Sequence, residues 1–383
     1  MNKIALNFSR LFVGILFIFS GLIKANDTLG FGYKLEEYFD VFQLSFFSPY
    51  ATGIAMLLCI LEIVLGALLL FGFWGKKVAT GLLGIITFFT FLTFVSAAFK
   101  VVTSCGCFGD AIPLTPWQSF SKDLVLLVLI VYLFIYRDKI LPVTQNAGRQ
   151  TITLIAVTAL SFIFTIYTYT YLPVIDFLPY KVGASIPDAM KIPEGATPDE
   201  FLIMYQLKNK ATGAKKEMSD KDYLKTEIWK DANWEIVGDP VQKLIKKGYE
   251  PKIKDLNISD ASGTDYTKEL IENPYYNLII VAYNLKYTNA EAIGKLNALT
   301  MDATEQFNIR TVLLTSNSAQ DAAAFSKSNK LLSEIFYADA VPLKSMVRAN
   351  PGLILLKNGV VINKWSFSDM PTFDQLKTQY FEK

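Results

Sequence analysis

The sequence predicts an α-helical membrane bundle of five crossings followed by a soluble α/β domain. Three observations carry that prediction. Hydrophobic residues make up 52% of the chain and charged residues only 19%, with the first half nearly charge-free over long blocks; such a bias marks a membrane protein. Five windows reach the roughly 20 apolar residues that a helix needs to cross a bilayer. From Tyr275 onward, strand-like and helix-like runs alternate, the pattern of an α/β layer structure.

The five windows are residues 4–23, 51–72, 78–99, 117–136 and 151–171. The first carries Arg10, lacks a clear small-residue cleavage site and precedes further spans, so it reads as a retained helix rather than a signal peptide. Lys3, Lys76, Lys77, Arg137, Lys139 and Arg149 fall in the ends and loops of one side. By the positive-inside rule that side is cytoplasmic. The opposite loops, 24–49 and 100–116, are longer and mixed in charge. Everything after Tyr171 then lies on the outer face, periplasmic in a bacterial inner membrane. The expected organisation is a four-helix membrane domain over 1–140, a cytoplasmic loop, fifth span and connector over 141–180, and a periplasmic domain over 181–383 with its core at about 275–383.

The chain has no histidine and a net charge of +2. Missing histidine excludes a Ser-His-Asp triad and His-ligated zinc or haem sites. No basic cluster points to nucleic acid. The expected partners are membrane lipid and a periplasmic or envelope protein.

In the first span Arg10, Gly14, Phe17, Gly21 and Lys24 follow one another at spacings of four, three, four and three, a single helix face. A charge within the bilayer is costly, so Arg10 is expected to turn inward to Glu62 of the second span. Lys122 and Asp123 open the fourth span. These groups either neutralise one another as structural glue, or line a proton path or hold a quinone head group. Gly14, Gly21, Gly66, Gly81 and Gly84 read as helix-packing contacts.

Two of the three cysteines lie in "TSCGCFGD", residues 103–110. A disulfide needs Cα atoms about 4.4–6.8 Å apart, and residues i and i+2 of an extended chain approach about 7 Å. A Cys105–Cys107 bridge therefore requires a bend, which Gly106 can supply; Gly109, Asp110 and Pro113 then turn the chain back to Trp117. A small strained ring would have an oxidising potential. Three readings stay open: a structural disulfide or pair of thiols, a redox-active pair, or capture of a soft ion such as copper(I). Cys59, inside the second span, reads as a small buried residue.

The segment "SCGCFGDAIPLTPWQSFSKDLVLLVLIVYL" resembles the MauE/DoxX superfamily of small four-helix membrane proteins, and "RLFVGILFIFSGLIK" and "LEIVLGALLLFG" are similar to its first two helices. The resemblance covers about residues 1–140. It implies a role in periplasmic disulfide-dependent maturation or in quinone-linked electron transfer. By position, Arg10, Lys24, Glu62, Cys105, Cys107 and Asp123 match the family pattern. A quinone is the only cofactor the resemblance suggests, and no metal is assigned.

In the soluble half, "NLIIVAY" and "IRTVLLTS" read as buried strands, and residues 290–307 and 319–330 as helices. Asn358-Gly359 between two apolar runs is a hairpin signal, followed by a helix from about Thr372. "EFLIMYQL" suggests a strand, and residues 220–247 are expected to include helix. The order resembles a thioredoxin-like fold, "RANPGLILLKNG" being similar to its cis-proline strand with Pro351 as that proline. "PKIKDLNISDASGTDYTKELI" resembles the extension of peroxiredoxin-like and TlpA-like members. Where redox-active thioredoxins carry Cys-x-x-Cys, this chain reads "AYNLKYTNAEAI". Thiol exchange needs a thiolate, so the tail cannot perform it alone.

Two functions emerge as expectations. One is a redox-associated inner-membrane protein working through Cys105 and Cys107; as an enzyme it would be a thiol-disulfide or quinone-linked oxidoreductase component. The other is a non-enzymatic envelope scaffold or assembly factor whose degenerate thioredoxin-like domain binds a partner.

Overall fold

The chain is described from a computed structural model that covers residues 3–100, 108–197, 200–238, 240–246 and 248–382. Six helices come first: α1 (Lys3–Asn26), α2 (Thr28–Val41), α3 (Ala51–Phe71), α4 (Gly75–Phe99), α5 (Pro116–Ile135) and α6 (Ala147–Thr170). Five of these segments are long and apolar enough to cross a membrane, α3 together with the 3₁₀ turn Ser45–Tyr50 that leads into it. Among them Ile152, Ile155, Leu160, Phe162 and Ile163 of α6 are exposed, which suits lipid contact rather than water.

The stretch expected as a loop between the first two spans is mostly helix. Asp27 caps α2 by accepting from the Gly30 amide, satisfying one of the orphan donors of the first turn. Phe31, Leu35 and Tyr38 then fall at spacings of four and three and are buried, Phe31 and Leu35 in a cluster with Ala51, Ala55 and Cys59 of α3. The glycines and charges that interrupt this stripe disguise it in the sequence.

The register of α1 on α3 is set by small residues. A Cβ added to Gly66 would lie 2.8 Å from the Gly14 carbonyl oxygen and 3.0 Å from the Ile18 nitrogen. One added to Gly21 would meet the Cys59 carbonyl and the Ile63 nitrogen at 3.1 Å. Both contacts are with backbone, so neither can yield by a rotamer change. Gly84, expected as another packing contact, has nothing within 4 Å of an added Cβ among the described residues and makes no such contact there. Gly66→Ala is therefore expected to destabilise the bundle by about 1–3 kcal/mol, and Gly84→Ala to leave it nearly unchanged. Thermal unfolding of the two variants in detergent micelles measures the contrast.

Residues Pro187–Lys254 form a compact unit of their own. After the short helix α7 (Ile186–Met190), strand β1 (Glu200–Asn209) pairs antiparallel with β2 (Lys215–Ser219), β3 (Trp234–Ile236) and β4 (Val241–Lys246). Helix α8 (Asp220–Thr226), capped by Ser219, and the 3₁₀ turn Ile228–Lys230 are helical parts of residues 220–247; β3 and β4 follow them in that range. Leu207 and Met218 are buried here, while Phe201, Trp229, Ile236 and Ile245 are exposed.

The remainder builds a five-stranded mixed sheet. Its elements are α9 (Thr267–Ile271), β5 (Tyr276–Val281), α10 (Ala290–Phe307), β6 (Arg310–Thr315), α11 (Ala319–Asn329), β7 (Glu334–Tyr337), α12 (Ala340–Met346), β8 (Gly352–Lys357), β9 (Val360–Ser366) and α13 (Phe373–Leu376). The strand order is β7-β6-β5-β8-β9. The β5–β6 and β6–β7 pairs are parallel, and β5–β8 and β8–β9 antiparallel. Central strands covered on both faces read as unbroken apolar runs, which is why "LIIV" and "VLLT" are buried throughout. Asn358 and Gly359 both have positive φ, 50° and 75°, the geometry of a two-residue hairpin turn. Strand β7 and helix α12 carry no comparable sequence signal, being four and seven residues long.

Candidate functional site

Arg10 does not meet Glu62. The Gly14–Gly66 contact makes each step toward the start of α1 a step toward the end of α3, and Arg10 therefore lies level with Leu70. Its guanidinium donates to the carbonyls of Leu69 at 2.9 Å, Leu70 at 2.6 Å and Leu141 at 3.0 Å. The first two belong to the last turn of α3, which stops at Gly72, and a cation there also meets the negative end of the helix dipole. Arg10 is a helix cap at one end of the bundle.

Lys24, at the other end of the same face, takes Glu62 instead. Its Nζ is 2.5 Å from Glu62 Oε1, with both side chains 3% exposed or less. The Phe89 ring lies 4.5 Å from the ammonium and the Phe31 ring 5.3 Å, so the charge is held by a carboxylate and two aromatic faces. Lys122 reaches its neighbour Asp123 at 2.5 Å, and the Thr93 hydroxyl donates to the other oxygen of Asp123 at 3.1 Å. Ser20, Lys24, Glu62, Lys122 and Asp123 together line a cavity of about 20 Å³. That is room for about one water, and both ammonium groups already face carboxylates. The cavity therefore does not fit a quinone ring, and these ionisable side chains hold one another instead.

Above this cluster sits the end of the cysteine motif. Cys105, Gly106 and Cys107 lie outside the described residues. Phe108 is buried, its ring 5.7 Å from that of Phe19 and 5.1 Å from the Lys122 ammonium. Gly109 has φ 51°, and Asp110 follows it to the α/β domain.

That domain is fastened to the bundle by charges that the sequence barely marks. Arg348, between α12 and β8, is 7% exposed. Its Nε donates to both carboxylate oxygens of Asp27, at 3.0 and 2.9 Å, and its Nη2 to Asp110 at 3.2 Å. Burial alone would draw this guanidinium down; Asp27 and Asp110 more than offset that and hold it above its ordinary value. Lys344 pairs with Glu36 at 3.3 Å and lies 4.1 Å from the Tyr33 ring. The Tyr33 and Tyr283 hydroxyls share a 2.8 Å hydrogen bond, and burial, then Tyr283, pushes the Tyr33 phenol well above its usual range. Lys364 of β9 reaches Asp176 at 2.5 Å and the Met346 carbonyl at 3.1 Å. Burial draws Lys364 below its ordinary value although Asp176 pulls the other way.

Residues of the α/β domain that make or neighbour these contacts include Tyr283, just after β5, and the segment from α12 to β8. The Asn350–Pro351 peptide bond in that segment is cis, and the Asn350 side chain donates to the Asn284 carbonyl at 2.7 Å. A cavity of about 310 Å³ lies where α2, the connector after α6, and α12 meet, with Lys24, Asp27, Asp110, Ile175 and Arg348 in its wall. Lys24 thus borders both cavities. Asp27 and Arg348 are inconspicuous in the sequence because one looks like a loop acid and the other like an ordinary surface base. A capping acid before a hidden amphipathic helix was the one available signal.

Comparison with known proteins places the first third of the chain. Residues 2–136 match the family model described as methylamine utilisation protein MauE. Protein TlpB of Flavobacterium psychrophilum is 30% identical over 135 residues, which is 34% of this chain and 36% of TlpB. The match therefore spans about a third of the length of that curated relative.

Proposed function

We propose that this chain is a redox-associated maturation factor of the bacterial inner membrane, acting at the periplasmic face through Cys105 and Cys107. The step is thiol–disulfide exchange. A client thiolate attacks the Cys105–Cys107 disulfide, a mixed disulfide forms, and the client's second thiol resolves it. The client gains one disulfide and loses two protons, while the loop takes up two electrons and two protons as a dithiol. The observation that carries this reading is the tie from Arg348 to Asp110, three residues after Cys107. It fastens the end of the cysteine motif to a soluble domain, beside a cavity large enough for a client side chain. The MauE match over residues 2–136, a range that includes both cysteines, supports it.

The soluble domain is thioredoxin-like in this reading. A parallel β5-α10-β6 unit beside an antiparallel β8-β9 hairpin resembles the arrangement of that fold. It acts as a platform, because all three cysteines lie in the membrane half. That same placement favours a second reading, a non-enzymatic scaffold whose soluble domain holds a partner.

Acid-quench alkylation of intact cells distinguishes the two. Under the first reading Cys105 and Cys107 change state with the oxidant supplied, and in Cys107→Ser the Cys105 thiolate attacks the disulfide of the oxidised client, the reverse of the step above, giving a mixed disulfide that Cys105→Ser/Cys107→Ser loses completely. A pair found in one state under every condition, with no mixed disulfide in the single variants, would leave the scaffold.

A further inference from the structure

Glu62 spends one carboxylate oxygen on Lys24. The other, Oε2, is buried without a hydrogen-bond partner among the described residues. Leaving a buried acceptor unmet is costly, the more so when it is charged, and native structures meet such groups with protein or water. Glu62 borders the 20 Å³ cavity, which also offers Ser20, Lys122 and Asp123. A cavity of that volume admits about one water. Among the described residues, only Lys24 is common to the walls of this cavity and of the 310 Å³ cavity beside Asp27 and Asp110.

We propose that Glu62 is a proton-exchange site inside the bundle, loaded from the larger cavity past the side chain of Lys24. A proton from the aqueous phase of the larger cavity passes through the water of the small one to Glu62 Oε2. The carboxylate becomes a neutral carboxyl and its ion pair with Lys24 is lost. The Lys24 ammonium keeps its own proton and, on its flexible four-carbon stem, turns toward Asp27 and Asp110. Reversal returns the proton to the same side. Among the described residues, the charged and titratable groups around Glu62 are Lys24 on α1, Cys59 on α3, and Lys122 and Asp123 on α5; α2 and α4 contribute the Phe31 and Phe89 rings against Lys24, and from α6 the apolar Val157 and Phe164 pack on the cluster that holds Cys59 and Ile63. The site stands whether or not the cysteine loop cycles.

Infrared difference spectroscopy of the full chain in liposomes tests this, with bulk proton and deuteron steps as the probe. Acidifying the medium should raise a protonated-carboxyl C=O band that moves to lower frequency in D₂O. Glu62→Gln should delete the band, Glu62→Asp should displace it, and Glu291→Gln, at the exposed start of α10, should leave it in place. Lys24→Met should change the rate of its deuterium exchange by at least about tenfold, equivalent to about 1.4 kcal/mol in barrier. A band that survives Glu62→Gln unaltered, or none at any pH in the folded wild type, overturns the exchange site. Should Glu62→Gln fail to insert, a band not displaced by Glu62→Asp overturns it equally. Exchange at the wild-type rate in Lys24→Met overturns the assigned route.

Discussion

Arg348→Ala is expected to release the α/β domain from the bundle. The guanidinium is nearly fully buried and serves two carboxylates at once. Removing one partner of a buried ion pair leaves the other charge desolvated, at a cost of about 3–5 kcal/mol. Asp27 bears most of this, since it is 17% exposed whereas Asp110 is 51% exposed and can turn to water. A loss of about 3 kcal/mol raises the population of the released form by about a hundredfold. Where opening is fast relative to cleavage, proteolysis follows that population. Cleavage in the connector, residues 171–181, should therefore rise by about two orders of magnitude in the folded, membrane-inserted variant. Arg348→Lys should recover only part of the loss, because an ammonium cannot reproduce the forked contact to Asp27. A cleavage rate equal to that of the wild type would show that the clamp does not hold the domain.

The second large effect belongs to Lys24 and Glu62. Lys24→Met leaves Glu62 without its counter-ion, and Glu62→Leu leaves an ammonium facing two aromatic rings and Asp123's neighbourhood. Each single change should cost about 3–5 kcal/mol, and the double change much less than the sum, since an apolar pair of similar volume replaces a buried ion pair at little or no loss. Apparent melting of the three variants in micelles, followed by tryptophan fluorescence, gives the coupling. Additive losses would mean that the two side chains do not act as a pair. Arg10→Met should behave differently: it unsatisfies two carbonyls at the end of α3 and that of Leu141, where water can reach, and Glu62 should not notice it.

The legible parts of the sequence were those where one physical requirement governs a whole segment. A bilayer demands about 20 apolar residues per helix, so all five helices long and apolar enough to cross one stand out, and a two-residue hairpin demands positive φ twice, so Asn358-Gly359 does as well. Helix α2 was missed because its stripe of Phe31, Leu35 and Tyr38 is diluted by Gly30, Gly32 and four charges, and its burial comes from α3 rather than from its own composition. The candidate site was half legible. Lys24, Glu62, Lys122 and Asp123 are conspicuous as ionisable groups at membrane depth, yet nothing local says which cation meets which acid. Arg10 and Lys24 occupy the same face of α1, and the choice between them depends on how far α3 slides along it.

What the sequence by itself determined is the number of helices long and apolar enough to cross a membrane, the absence of imidazole chemistry, the confinement of every thiol to the first half of the chain, and the β5-α10-β6-α11 order and β8–β9 hairpin of the tail. Those come from composition and from periodicities a few residues long. Tertiary structure decided the rest: that Gly14 rests on Gly66 and so hands Glu62 to Lys24, and that Arg348 crosses more than two hundred positions of chain to reach Asp27 and Asp110. Charges pair according to which backbones can approach and which groups are left without water, and both are properties of the packed helices rather than of any one of them.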